Sequence, residues 1–101
     1  MRQLHRSAGY LIFAAALFLV LPVASAESII LASTTSTQAS GFFDYFLPIF
    51  KQKTRTEVQV VAVGTGQALK LAEKGDADVL LVHDKAGELK FVKQGYGVDR
   101  R

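Results

Sequence analysis

Val60-Val61-Ala62-Val63-Gly64-Thr65-Gly66-Gln67-Ala68 passes from an apolar strand, through a glycine-flanked threonine, into the start of a helix. Ile30-Leu31-Ala32-Ser33-Thr34-Thr35-Ser36-Thr37-Gln38-Ala39-Ser40-Gly41 has the same build, with five consecutive hydroxyl residues at the junction. A helix start leaves backbone N–H groups unpaired and carries partial positive charge, so each junction can hold an anion. Neither loop contains an acid, a base or a thiol. Such loops suit holding an anion rather than reacting with it.

Working outward, strands and helices alternate. Ser28 to Ala32 is a short apolar run suited to a strand buried on both faces. Phe43, Phe46, Leu47 and Phe50 fall on one helical stripe, which at this spacing reads as core rather than as a ligand box. Pro48 lies inside the stripe and predicts a kink, or a division into two shorter turns. Glu57 to Val63 is a second strand, and Gln67 to Lys74 a second helix with Ala68, Leu71 and Ala72 inward, stopping at Gly75-Asp76. Val79 to Val82 reads as a third, fully apolar strand. Asp84 then caps a third helix that turns Leu89 and Val92 inward and ends at Gly95. The fold class is α/β: a βαβαβα order with helical crossovers, which requires a parallel sheet with right-handed connections. Ligands of such sheets sit beyond the carboxyl ends of the strands, where both hydroxyl loops fall.

The first 26 residues read as a secretory signal peptide. Arg2, His5 and Arg6 precede the apolar run Tyr10 to Val20, and Ala24-Ser25-Ala26 forms a small-x-small cleavage site. The alternative is an uncleaved anchor, but Leu11 to Val23 falls short of the roughly 20 residues a membrane crossing needs. Without Arg2 and Arg6 the remaining chain has ten Lys and Arg against nine Asp and Glu, a net charge of +1. That balance, with no basic cluster interleaved with aromatics, gives no support for nucleic-acid binding. The closing Arg100-Arg101 reads as a solvated end. No cysteine is present, which excludes disulfides, a thiol nucleophile and a lipid-bearing cysteine. An exported, cysteine-free chain fits the bacterial periplasm.

Competing motifs fail on inspection. Gly64-Thr65-Gly66 lacks the third glycine of a dinucleotide fingerprint, since that position is Leu69, and has no P-loop spacing. Its bland reading is a tight strand-to-helix turn, and Ser33 to Thr37 alone is ordinary turn chemistry. The pairing of the two loops at one sheet edge is what distinguishes them. His83-Asp84 has no other histidine after the leader, no Ser elbow and no His-Glu-x-x-His, so it reads as a hydrogen-bonded strand-end histidine and a helix cap. No enzyme, metal site or cofactor is expected.

Three segments then resemble a known family. Leu31-Ala32-Ser33-Thr34-Thr35-Ser36-Thr37-Gln38, Val63-Gly64-Thr65-Gly66-Gln67-Ala68-Leu69 and Gly75-Asp76-Ala77-Asp78-Val79-Leu80-Leu81-Val82-His83-Asp84 are similar to the tungstate-binding proteins of ABC transporters. Phe91-Val92 and Gly95-Tyr96-Gly97 continue the likeness. The resemblance implies a type II periplasmic binding protein, whose two α/β lobes close on an oxyanion delivered to a membrane permease. The family's Thr-Thr-Thr-Ser motif falls on Ser33, Thr34, Thr35 and Ser36, with Ser33 keeping the hydroxyl of the threonine it replaces. Thr35 and Ser36 are thereby implied as donors to the oxyanion, joined by Thr65 between Gly64 and Gly66. Family members extend far beyond the position of Arg101, so residues 27–101 are expected to be a partial first lobe, with a truncated, binding-incompetent fragment as the alternative.

The donor chemistry independently favours a tetrahedral dianion. Tungstate, molybdate and sulfate carry no proton at neutral pH and need donors only. Phosphate retains a proton and is usually recognised by a buried acceptor, which Ser33 to Phe43 and Gly64 to Ala72 do not provide.

Overall fold

Leu31 to Thr34 is the most buried stretch of the chain, and the sheet is arranged around it. The computed structural model of the chain describes residues 27–101; the expected leader lies outside them. β1 (Glu27–Thr34), α1 (Thr35–Ala39), α2 (Phe42–Thr54), β2 (Thr56–Val63), α3 (Thr65–Glu73), β3 (Val79–Leu80) and α4 (Lys85–Lys93) follow in order. The sheet has three strands in the order β2-β1-β3, and both pairings are parallel. The α/β expectation holds, with one extra short helix inserted at the first hydroxyl loop.

The core is small because its central residues are small. Ala32 and Ala68 are fully buried against each other and Val82, with Val63, Leu71, Ala77 and Leu80 around them. Alanine at the centre lets α3 lie close on β1, where a larger side chain would meet a closely packed interior. α3 ends in a Schellman motif. Gly75, at φ +82°, takes the left-handed position, and the N–H groups of Gly75 and Asp76 donate to the Ala72 and Leu71 carbonyls at 3.1 and 2.9 Å.

Several expectations are corrected. β1 runs two residues beyond Ala32, so Ser33 and Thr34 belong to the strand. β3 is shorter than Val79 to Val82, and hydrogen bonding explains why. Leu81 N–H still donates to the Ala32 carbonyl at 2.9 Å, but the Ser33 hydroxyl donates to the Leu81 carbonyl at 2.7 Å. A side chain has taken the acceptor that would continue the ladder. At the other end, Asp78 clamps Ile30, donating its N–H to the Ile30 carbonyl while its carboxylate accepts the Ile30 N–H, both at 2.8 Å.

α2 is one unbroken helix through Pro48, so the expected division does not occur. The proline forgoes one bond within a thirteen-residue helix, and the rest of the ladder holds it. Its aromatic stripe is core only at Phe43, which is 5% exposed, whereas Phe46 is 40% exposed. α2 packs on β2, an edge strand, so its far flank meets no further layer among the described residues. Phe42 and Phe46 stack on each other instead, with ring centroids 5.4 Å apart. Leu89 and Val92 of α4, expected inward, are exposed for the same reason, as is Val79 on the opposite edge strand. Asp84 does cap α4, accepting the Gly87 N–H at 3.1 Å. Arg100 is not simply solvated: its guanidinium lies 3.0 Å from the Glu88 carboxylate.

Candidate anion site

The register of the sheet places the two hydroxyl loops side by side. Thr34 is the partner of Val63 across the β1–β2 pairing, and each strand ends there. Neighbouring strands lie about 4.8 Å apart. α1 therefore starts at Thr35 beside α3, which starts at Thr65.

The two starts are capped differently. Thr34 is extended (φ −111°, ψ 154°), and its hydroxyl accepts the Thr37 N–H at 3.3 Å. Gly64 is also extended (φ −67°, ψ 156°), but offers no side chain to cap α3. The first i to i−4 bond of α3 runs from Ala68 N–H to the Gly64 carbonyl, at 2.9 Å. The N–H groups of Thr65, Gly66 and Gln67 thus have no such partner and point out of the helix end. The space outside is open, since a Cβ placed on Gly64 or Gly66 would meet no atom within 4 Å.

The seven sequence-predicted residues fall into two sets. Thr35, Ser36, Gly64 and Gly66 are exposed and Thr65 is half-buried, all at the same edge. Ser33 and Thr34 are buried, at 0% and 3% exposure, and their hydroxyls are engaged. Ser33 donates to Leu81, while Thr34 Oγ1 serves the Thr37 N–H and lies 3.1 Å from Ser36 Oγ and 2.9 Å from Thr37 Oγ1. These two brace the loop, and the other five lie at the open edge.

Sequence reasoning missed two contributors. Gln67 is the third residue of α3, because that helix begins two residues earlier than the periodicity suggested. His83 Nε2 lies 3.2 Å from Ser36 Oγ, so the strand-end histidine has its partner in the first hydroxyl loop. An open hollow of about 500 Å³ between them is lined by Ser36, Thr37, Ser40, Phe42, Leu81, Val82 and His83. A larger hollow of about 620 Å³ runs under β3 and α4 and is lined by neither hydroxyl loop. The smaller one borders the first hydroxyl loop only, since none of Gly64, Thr65, Gly66 and Gln67 lines it.

Chemically the edge donates. It has no carboxylate among its loop residues and no group of three metal-ligating side chains occurs among the described residues. A hydroxyl beside an imidazole resembles a nucleophile with its base, but among the described residues no carboxylate bonds the imidazole. Asp84, the neighbouring carboxylate, is turned to the Gly87 N–H.

The likeness to known proteins agrees with this chemistry. The PBP superfamily domain matches residues 21–101. The tungstate-binding protein TupA of Peptoclostridium acidaminophilum is 60% identical over 74 residues, covering 73% of this chain and 26% of that protein. Among solved structures, the tungstate ABC transporter protein of Geobacter sulfurreducens superposes with a TM-score of 0.70 at 52% identity, over 72% of this chain and 32% of the other. The tungstate-binding protein TupA of Desulfovibrio alaskensis G20 gives a TM-score of 0.70 at 46% identity, over 71% and 29%. The chain spans about a quarter of the length of the curated relatives it matches. With a parallel sheet whose carboxyl edge gathers neutral donors, and a family match reaching from residue 21 to Arg101, the chain belongs to the PBP superfamily.

Proposed function

We propose that this chain provides part of the first lobe of the solute-binding component of an ABC importer, taking up tungstate or molybdate and passing it to a membrane permease. The carrying observation is the meeting of two helix starts, in register, in loops that hold hydroxyls and free N–H groups and no acid. The named relatives support tungstate as the anion. Thr35, Ser36, Gly64, Thr65 and Gly66 donate to the oxyanion, and Ser33 and Thr34 hold the first loop in shape. The protein works in the periplasm, reached through cleavage after Ala26.

Titration of the chain with sodium tungstate, followed by amide NMR, tests the site. Shifts are expected at Thr35, Ser36, Thr65, Gly66 and Gln67, with phosphate at equal concentration giving smaller ones for want of an acceptor. Shifts absent from both loops would remove the reading. Export is checked separately by intact mass, which should place the mature start at Glu27. A membrane-bound species retaining residues 1–26 counts against cleavage.

A further inference from the structure

We propose that His83 is a positioning residue for anion capture: a proton on its Nε2 turns the Ser36 hydroxyl into an outward donor, so dianion binding is linked to protonation of Nε2. The inference rests on the anion reading of the two loops. Its own basis is a row of four polar atoms. Thr37 Oγ1 lies 2.9 Å from Thr34 Oγ1, which lies 3.1 Å from Ser36 Oγ, which lies 3.2 Å from His83 Nε2.

Counting protons along this row gives two states. Each hydroxyl has one proton and can accept two bonds. With Nε2 bare, only Ser36 can supply the proton between Ser36 and His83. Thr34 must then donate to Ser36, and Thr37 to Thr34. All three hydroxyl protons are used inside the row, and Ser36 presents a lone pair to the space where a dianion would approach. With a proton on Nε2, His83 donates to Ser36, Thr34 also donates to Ser36, and the Ser36 proton is free to point outward. The second state suits an anion and the first repels it.

A proton reaches Nε2 either through the tautomer or through the imidazolium, and only the second changes with pH. A dianion favours the imidazolium through its charge as well as through Ser36, so capture strengthens as acid adds the second ring proton. Ser36, Thr37, Ser40, Phe42, Leu81 and Val82 share the hollow with His83, and none of them is an acid or a base. The charged neighbours are Asp84, whose carboxylate accepts the Gly87 N–H, and Lys85 at the start of α4. Both His83 and Ser36 are exposed, so replacing either leaves the core untouched.

The experiment is a sodium tungstate titration of the full chain at pH 6.5 and 8.5, read from the Thr35 and Thr65 amides. The unmodified chain should bind about tenfold more weakly at pH 8.5, the worth of one hydrogen bond to a charged acceptor. His83→Gln keeps an amide N–H at a similar reach and cannot titrate. It should be flat with pH, at an affinity no higher than the unmodified chain shows at pH 6.5. Ser36→Ala should keep only the smaller pH dependence that the ring's charge supplies, because the rest of the link runs through its hydroxyl. A flat profile in the unmodified chain overturns the proposal. So does a pH dependence undiminished in Ser36→Ala, which would mean that the imidazolium acts through its charge alone. If neither loop's amides move at either pH, the anion reading itself falls and takes this inference with it. Loop shifts without the pH link remove only the role of His83.

Discussion

A chain carrying Thr35→Pro and Thr65→Pro together is expected to keep its fold and lose tungstate affinity by at least about a hundredfold. Both positions are the first residue of a helix, where proline is tolerated because its N–H would have no intrahelical partner. The preceding residues already have the extended backbone proline demands, Thr34 at φ −111°, ψ 154° and Gly64 at φ −67°, ψ 156°. Each substitution removes an N–H and a hydroxyl at a strand-to-helix junction and no buried side chain. Bonds to a charged acceptor are worth about 1.5–3 kcal/mol, so losing two already exceeds a hundredfold. Single alanines at Thr35, Ser36 or Thr65 remove only the hydroxyl, and weaken binding about tenfold where that hydroxyl is the donor. Ser33→Ala is the contrasting control. Its hydroxyl is spent on the Leu81 carbonyl, so it should cost about 1 kcal/mol of stability and weaken binding far less than the double proline. Amide NMR reports both fold and binding in one titration. A folded double-proline chain with unchanged affinity would place the anion elsewhere.

The architecture was legible because its signals are local. Apolar runs bounded by glycine, an aspartate before a helix and glycines at helix ends each act within a few residues, and Gly75, Asp84 and Gly95 all stand where they were expected to. The pairing of the two loops was legible too, because parallel strands joined by helices must present equivalent ends at one edge. What failed depends on distant partners. Ser33 shortens β3 through a bond to Leu81, and His83 finds Ser36, across separations of 48 and 47 residues. Periodicity correctly placed Phe46, Leu89 and Val92 on apolar faces. It could not say what covers those faces, and among the described residues they stay partly exposed. The same limit applies to the site. Sequence named the hydroxyls, but which were spent on the protein and which remained for a ligand needed the geometry.

Residues 27–101 by themselves are expected to bind tungstate in the millimolar range, about three orders of magnitude or more below the submicromolar affinity of a closed site. The exposure of the donors sets this limit. Thr35, Ser36, Gly64 and Gly66 face open solvent, so an anion on this edge keeps water over its outer oxygens. Four bonds to a charged acceptor sum to about 6–12 kcal/mol in favourable surroundings. Association takes at least about 4 kcal/mol of that, and competing water takes more. About 4 kcal/mol remaining corresponds to a Kd near 1 mM. The scaffold compounds the weakness. Phe42, Phe46, Val79, Leu81, Leu89 and Val92 are exposed, so both flanks of the three-stranded sheet show apolar surface. Exposed faces and open strand edges of this kind favour association between copies, which competes with a dispersed, binding-ready lobe. A second wall over the carboxyl edge would both exclude water and restrain the loops, and the two effects together carry affinity from millimolar toward submicromolar. Calorimetry of the purified segment with sodium tungstate, alongside far-ultraviolet circular dichroism through a thermal ramp, measures both halves of this expectation. Submicromolar binding by a cooperatively folding segment would show that two hydroxyl loops on one sheet are enough.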